Sequence, residues 1–252
     1  VSVTPRGFSG QDQRIYAGGL PDLATRRLAE LVGSGMTSSF LSASETAVAA
    51  DYGLEPVGQV VGASSCVLLE GVVRRTRGPQ GRLAPGAPVW RERDGPIRSW
   101  AAARQRALSR LSQQARTLGG DAVLGLRAEV KQHAGTVEVV FTGTVVRDRA
   151  STKRTREQPV LGVVSVVDFV KLRDAGVKVV GVVGSSSSVS VEPGAVTLQV
   201  FRGQGINSEL SDLTEGVYEA RRLALDRLRG DARRLKADGV IGADLAGAMT
   251  HH

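Results

Sequence analysis

A chain of 252 residues with 41% hydrophobic content has room for two ordinary domains and enough apolar material to exclude wholesale disorder. No apolar run approaches the roughly 20 residues of a membrane-spanning helix, and the opening VSVTPRGFSG lacks the basic-then-apolar order of a signal peptide. The net charge of +8 admits an acidic partner, but the excess sits in two segments: residues 70–99 hold seven arginines against three acids, and residues 147–158 hold five basic residues against two acids. A lone cysteine, Cys66, cannot close a disulfide within the chain, so the expected compartment is reducing and cytoplasmic.

In chain order, Leu20, Leu23, Ala24, Leu28 and Leu31 recur at helical spacing, with Pro21 suited to a first turn. The valine- and glycine-rich stretch YGLEPVGQVVGASS (52–65) predicts a strand, followed by the basic loop 70–99. Trp100, Ala103, Ala107, Leu108, Leu111, Ala115 and Leu118 form the apolar stripe of a long helix, and Gly119 is a suitable stop. Leu124, Leu126, Ala128 and Val130 alternate as a strand with one buried face. QHAG (132–135) reads as a turn, and Val137, Val139, Phe141 and Val145 alternate back as a returning strand. The stretch 149–158 reads as a basic linker.

The chain then repeats itself. A shift of 117 residues aligns 103–125 with 220–242 without a gap and gives twelve identities in 23 positions, among them Ala107/Ala224, Leu111/Leu228, Leu118/Leu235, Asp121/Asp238 and Gly125/Gly242. Upstream, AGVKVVGVVGSSS (175–187) echoes the first strand with one residue skipped. The expected fold class is α+β: two tandem β-α-β-β modules of two layers, each an antiparallel sheet under one long helix. The expected divisions are an N-terminal extension 1–36, module one at 37–148, the linker 149–158 and module two at 159–252. Shifted by the same interval, the returning strand of module two would begin near residue 254, so this sequence lacks the last strand of that module. The expectation is that the natural protein continues; the alternative is that another chain fills the vacant place by strand addition.

The VGxVVGxSS strand and loop, the Ala/Leu/Arg helix and its ARxLGADAVVG-type ending resemble the YbjQ-like family, whose members carry a heavy-metal-binding label. The resemblance covers residues 37–148 and again 159–252. It implies a dodecin-like fold and assembly into rings, commonly pentamers, and it supplies no set of catalytic residues.

The candidate chemistry is thin. A soft-metal site needs several Cys, His or carboxylate ligands at one point; this chain offers Cys66, His133, His251 and His252. Cys66 is expected at a buried strand end, His133 in a solvated turn. Asp121 and Asp238 are expected to accept backbone N–H groups at a turn. GQGINS (203–208) lacks the third glycine of a dinucleotide loop, and VVGSSSS (182–188) is expected as a loop or tight strand crossing. Arg74, Arg75, Arg77, Arg82, Arg91, Arg93 and Arg98 could meet phosphates, but only Trp90 joins them as a stacking platform, which argues against nucleic acid. Loop 70–99 carries +4 and loop 191–216 carries −3, a pairing that could match unlike neighbours in a ring. No catalytic, cofactor-binding or metal-ligating set is assigned. The expected function is non-enzymatic: an oligomeric scaffold whose main partner is itself, with a metal- or small-ligand-binding module using sites between subunits as the alternative.

Overall fold

A computed structural model describes residues 9–35, 37–69, 73–75, 88–133, 135–151, 158–204 and 209–247; at 73–75 and Gln204 it describes the backbone only. The expected mixed α+β class is what it shows. A short helix α3 (Ala43–Asp51) leads through Gly53 into strand β1 (Leu54–Val67). After the basic loop comes helix α4 (Asp94–Thr117), then the hairpin β4 (Ala122–His133) and β5 (Thr136–Asp148). β5, last in sequence, is central in space: it pairs antiparallel with β1 on one side and β4 on the other. β6 (Val160–Leu161) adds to the outer edge of β4 in parallel, so residues expected in module two extend the sheet of module one.

The helical stripe read from the sequence is the core. Ala103, Ala107, Leu111 and Ala115 are fully buried against Val60, Val137 and Val145 of the sheet, with Leu28 of helix α2 (Asp22–Ser34) closing one side. Small residues at three of those helix positions let the helix lie close to the strands. Gly62 marks the closest approach, since a Cβ there would run into the Ala107 carbonyl oxygen and come 2.8 Å from the Cβ of Leu111. The opposite sheet face is covered at one end by α3 and by α5 (Val166–Asp174). Ala49 meets Leu54, Leu124, Val146, Val166 and Val170 there, so a helix expected in module two covers the second face of module one.

The outer edge of β1 is sealed by side chains. Gln114, buried in α4, accepts from the Val61 N–H (3.3 Å) and donates to the Val61 carbonyl (2.6 Å). Arg110 donates to the Ala63 carbonyl (2.6 Å), and Arg27 of α2 to that of Gln59 (3.3 Å). An open edge is a template for another strand; here the Val61 N–H and the carbonyls of Gln59, Val61 and Ala63 are already paired. Arg110 also donates to the carbonyls of Ile15 and Gly19, pinning the N-terminal helix α1 (Gly10–Tyr16). Burial pushes the Arg110 guanidinium below its ordinary pKa, as does the neighbouring charge of Arg106. Gln114→Ala leaves both Val61 groups without partners and is expected to cost about 2 kcal/mol, read as a lower denaturant midpoint at unchanged slope.

Helix α3 is held by a capping box. Ser42 Oγ accepts from the Glu45 N–H, and Glu45 accepts from the Ser42 N–H at 2.9 Å. That backbone bond holds the Glu45 carboxyl below its usual range. A depressed folded pKa means the stabilisation is complete above the unfolded value and lost as pH falls through the folded one. Hydrogen-exchange protection of α3 is therefore expected to fall in acid, below about pH 4, and Glu45→Gln is expected to remove that dependence.

The second half meets the expectation in its helix and departs from it in its strands. Helix α7 (Ser211–Arg234), which follows the five-residue α6 (Ala195–Gln199), is displaced from α4 by 117 residues at both ends. Residues 177–188 and 237–247, however, form no ladder: among the described residues the first is extended without a paired strand, and the second is irregular and mostly exposed. In the first half, β1 and β4 never touch each other; each exists as a strand because β5 lies between them. Among the described residues no segment stands between these two as β5 stands between β1 and β4.

The variable loops also settle differently. β2 (Val73–Arg75), β3 (Val89–Arg93) and β7 (Val189–Glu192) make a separate antiparallel sheet that joins the two loops of opposite charge. Arg91 of β3 pairs with Glu192 of β7 at 2.8 Å. The complementarity expected between neighbours in a ring is thus met here within one chain. Most of the stretch read as a basic linker, 152–157, lies outside the described residues.

Candidate assembly surface

The two halves share backbone detail beyond their helices. Left-handed residues recur at Gly53 and Gly176 (φ 70° and 73°), at Gly119 and Lys236 (68° and 56°), and at Gly125 and Gly242 (62° and 64°). α3 and α5 have nine residues each, and serines, Ser42 and Ser165, cap both. Both long helices end on the same pair of backbone bonds: Gly119 to Arg116 and Gly120 to Ala115, then Lys236 to Arg233 and Ala237 to Ala232.

Strand-on-helix contacts recur too. A Cβ on Gly58 would lie 3.0 Å from Leu118, and one on Gly181 would lie 3.3 Å from Leu235. Arg110 donates to Ala63, and its counterpart Arg227 donates to the Ser186 carbonyl (3.1 Å). Ser185 and Ser187 lock the extended segment to α7 by donating to the Ala224 and Ala220 carbonyls, each at 2.6 Å. VVGSSSS therefore crosses α7 closely without pairing as a strand, the hydroxyls of Ser185 and Ser187 engaged with the helix.

The halves differ in what covers the helix. Leu111 is fully buried and Leu118 is 9% exposed, whereas Leu228 is half-buried and Leu235 is 41% exposed. Val177, Val180, Val240, Ile241 and Leu245 stand exposed on the two flanking segments. Residues 162–163 touch both flanks: a Cβ on Gly162 or Gly242 would lie 3.7 Å from Val179 or Val163 respectively. The result is an apolar layer whose two flanking segments pair with no strand among the described residues. Clustered exposed apolar groups of this kind mark interaction surfaces.

The other candidates fall apart as sites. Cys66 is half-buried on the helix face of β1, where its Sγ accepts from Arg106 at 3.1 Å and lies 3.9 Å from Ser64 Oγ. His133 is exposed at the end of β4, and its carbonyl accepts from the Thr136 hydroxyl. His251 and His252 lie outside the described residues. Among the described residues no three His, Cys, Asp or Glu side chains converge as a metal site. Asp121 fixes the turn as expected, its carboxylate accepting from the Asp148 N–H of β5 at 2.9 Å. Asp238 is exposed and has no such N–H opposite it among the described residues.

Trp90 is buried rather than presented for stacking. Its indole donates to the Asp212 carbonyl at 3.1 Å, and its ring packs where Gly216 leaves room. Of the arginines near it, Arg91 is paired with Glu192 and Arg98 with Asp94. Arg77, Arg82 and residues 205–208 of GQGINS lie outside the described residues, as do the side chains of Arg74 and Arg75. Sequence reading missed Glu92, buried beside Trp90 and ion-paired with Arg227 of α7. Its only sequence signal was an acid inside a basic run. No helix is long and apolar enough to cross a membrane among the described residues.

Residues 97–149, which include nearly all of α4 and the whole β4–β5 hairpin, match the model of the family YbjQ_1, described as "Putative heavy-metal-binding". Over these residues the chain is similar to that family. The YbjQ-type segment thus contains both the helix that organises the first core and the central strand of its sheet. The chain is also similar to the "Encapsulin nanocompartment protein Rv1762c" of Mycobacterium tuberculosis (strain ATCC 25618 / H37Rv), 30% identical over 150 residues. That match spans 57% of this chain and 57% of the relative.

Proposed function

We propose that this chain is a non-enzymatic assembly protein: two YbjQ-like, dodecin-like modules in tandem that associate into a symmetric ring. The observation that carries the reading is the unequal covering of two equivalent helices, Leu111 closed and Leu228 open. Association would cover the apolar residues of α7 that are left partly exposed among the described residues. The relative's name, which places it with an encapsulin nanocompartment, supports an assembly role. The proposal includes a cytoplasmic setting, in keeping with the single free cysteine.

A second reading is favoured by the description of the matching family: a metal- or small-ligand-binding module. With no ligand cluster within the described residues, its ligands would have to converge from several copies, as one Cys66 per subunit could at a symmetry axis. Native mass measurement with elemental analysis of the same particle tests both. A defined oligomer free of stoichiometric metal is the expected result. A monomer at micromolar concentration would sink the scaffold, and one retained metal per fixed number of chains would promote the second reading.

A further inference from the structure

The two edges of the four-stranded sheet are unlike. That of β1 is sealed by Gln114, Arg110 and Arg27. On the other side, β6 pairs with β4 at Ala122 and Val123, and the Leu126 N–H donates to the Gly162 carbonyl just beyond, at 3.1 Å. From there to the hairpin turn, residues 127–133 of β4 are exposed and have no outer strand beside them among the described residues. Backbone groups of successive strand residues point to alternate sides. Leu126 points outward, so Ala128, Val130 and Gln132 do as well, while Arg127, Glu129, Lys131 and His133 turn theirs toward β5. The side chains alternate too. Arg127, Glu129, Lys131 and His133 line one face. Ala128, Val130 and Gln132 line the other, beside their β5 partners Phe141, Val139 and Val137 of the α4 core. Val130 is 46% exposed at that margin.

We infer that this edge is an interface between two copies of the chain: β4 pairs antiparallel with β4 of a second copy about a twofold axis through Val130. Three observations fix the occupant and its register. Val130 is the midpoint of 127–133, so this register uses the whole exposed length and stops short of Gly162. Val130 also points outward, so the Val130 groups of the two copies bond to each other and those of Ala128 to those of Gln132. Charge supplies the third. Glu129 of one copy faces Lys131 of the other, and Lys131 faces Glu129 in return; opposite charges across a ladder attract and like charges repel. Centring on Glu129 or Lys131 would set like charge on like. Centring on Ala128 would drive the second copy into Gly162. Lysine on an edge ordinarily blunts it; Lys131 already lies 2.7 Å from Glu129 in its own strand, and the second copy extends that pair to an alternating square. The two Val130 side chains meet at the margin of the α4 core and lengthen it. A twofold contact closes on itself, so it makes a pair and does not depend on the ring proposed above.

The test uses the 252-residue chain and two charge variants, Glu129→Lys and Lys131→Glu, both at exposed positions. Sedimentation of the wild type across a dilution series is expected to show reversible pairing. Hydrogen exchange is expected to slow with concentration at the amides of Ala128, Val130 and Gln132, and to stay constant at Glu129 and Lys131, which already face β5. Each variant alone sets like charges opposite each other and is expected to pair about tenfold more weakly or worse. An equimolar mixture of the two restores opposite charges across the axis and is expected to regain the wild-type pairing. A mixture no better than either variant, or protection at the three outward amides that persists in the diluted monomer, would overturn the inference; the second result would mean that one chain covers its own edge. A ring whose three outward amides exchange freely would overturn it and leave the ring standing. A pair that grows no further would defeat the ring and leave the edge contact intact.

Discussion

Leu111→Ala is expected to lower the stability of the chain by about 3–5 kcal/mol, and Leu228→Ala by about 1 kcal/mol. The two leucines are equivalent in sequence, 117 residues apart, on helices of equal length. Leu111 is fully buried between α4 and the sheet, among Val60, Ala107, Ala115 and Val145. Removing it deletes buried methyl groups and leaves a cavity that a close-packed helix and sheet cannot collapse around. Leu228 is only partly buried, so truncation deletes methyl groups that water already reaches in part and leaves a site that can relax. Denaturant unfolding of the two variants measures both values. Equal losses would mean that the second helix is covered as well as the first. In the assembled particle the Leu228→Ala cost is expected to rise toward that of Leu111→Ala.

Gly62→Ala is expected to cost about 3 kcal/mol or more, while Gly184→Ala, its counterpart, is expected to stay within about 0.5 kcal/mol of wild type. At Gly62 the obstacle is backbone: an added methyl meets the Ala107 carbonyl oxygen and the Cβ of Leu111, neither of which can swing aside. Relief requires α4 to lift from β1, which would also pull Gln114 and Arg110 off the strand edge they seal. At Gly184 the nearest atoms, at 3.3–3.7 Å, belong to the Arg104 side chain, whose long stem can move. Arg104 is itself held by Asp231 of α7 at 3.6 Å, and burial pushes its pKa down from the ordinary arginine value. Thermal unfolding of the two variants separates a backbone clash from a side-chain adjustment. An unfolded Gly184→Ala variant would show that the second crossing is as tight as the first.

Periodicity made the first half legible. The stripe through Leu111 needed only the helical repeat, and the alternation of Val137, Val139 and Phe141 needed only the strand repeat, because each face meets one medium over its whole length. Asp121 was readable as a turn-fixing acid for the same local reason. The second half carries the same local signals, so its helix, its serine cap and its left-handed residues at 176, 236 and 242 follow the first half closely. Its strands do not form, because a strand is not a local object: it needs a neighbour, and local pattern says nothing of whether one is present.

Three things were decided only in three dimensions. Loops of opposite charge meet within one chain, since β3 and β7 come together from positions about 100 residues apart in sequence. Helix α5, from the span read as the second module, closes the far face of the first beside α3, because Leu54, Leu124 and Val146 there offered an apolar surface to bury. The edge of β1 is sealed by Gln114 and Arg110, polar residues that a helical stripe assigns to solvent but that the backbone groups of Val61 and Ala63 draw inward. The amino-acid order by itself determined that the segments through Leu28, Leu111 and Leu228 are helical, where the helix through Leu111 stops, and that residues 103–125 and 220–242 are alike. Only the tertiary structure decided which of the two copies is covered, since burial depends on what lies opposite, and opposite Leu228 the described chain places no strand.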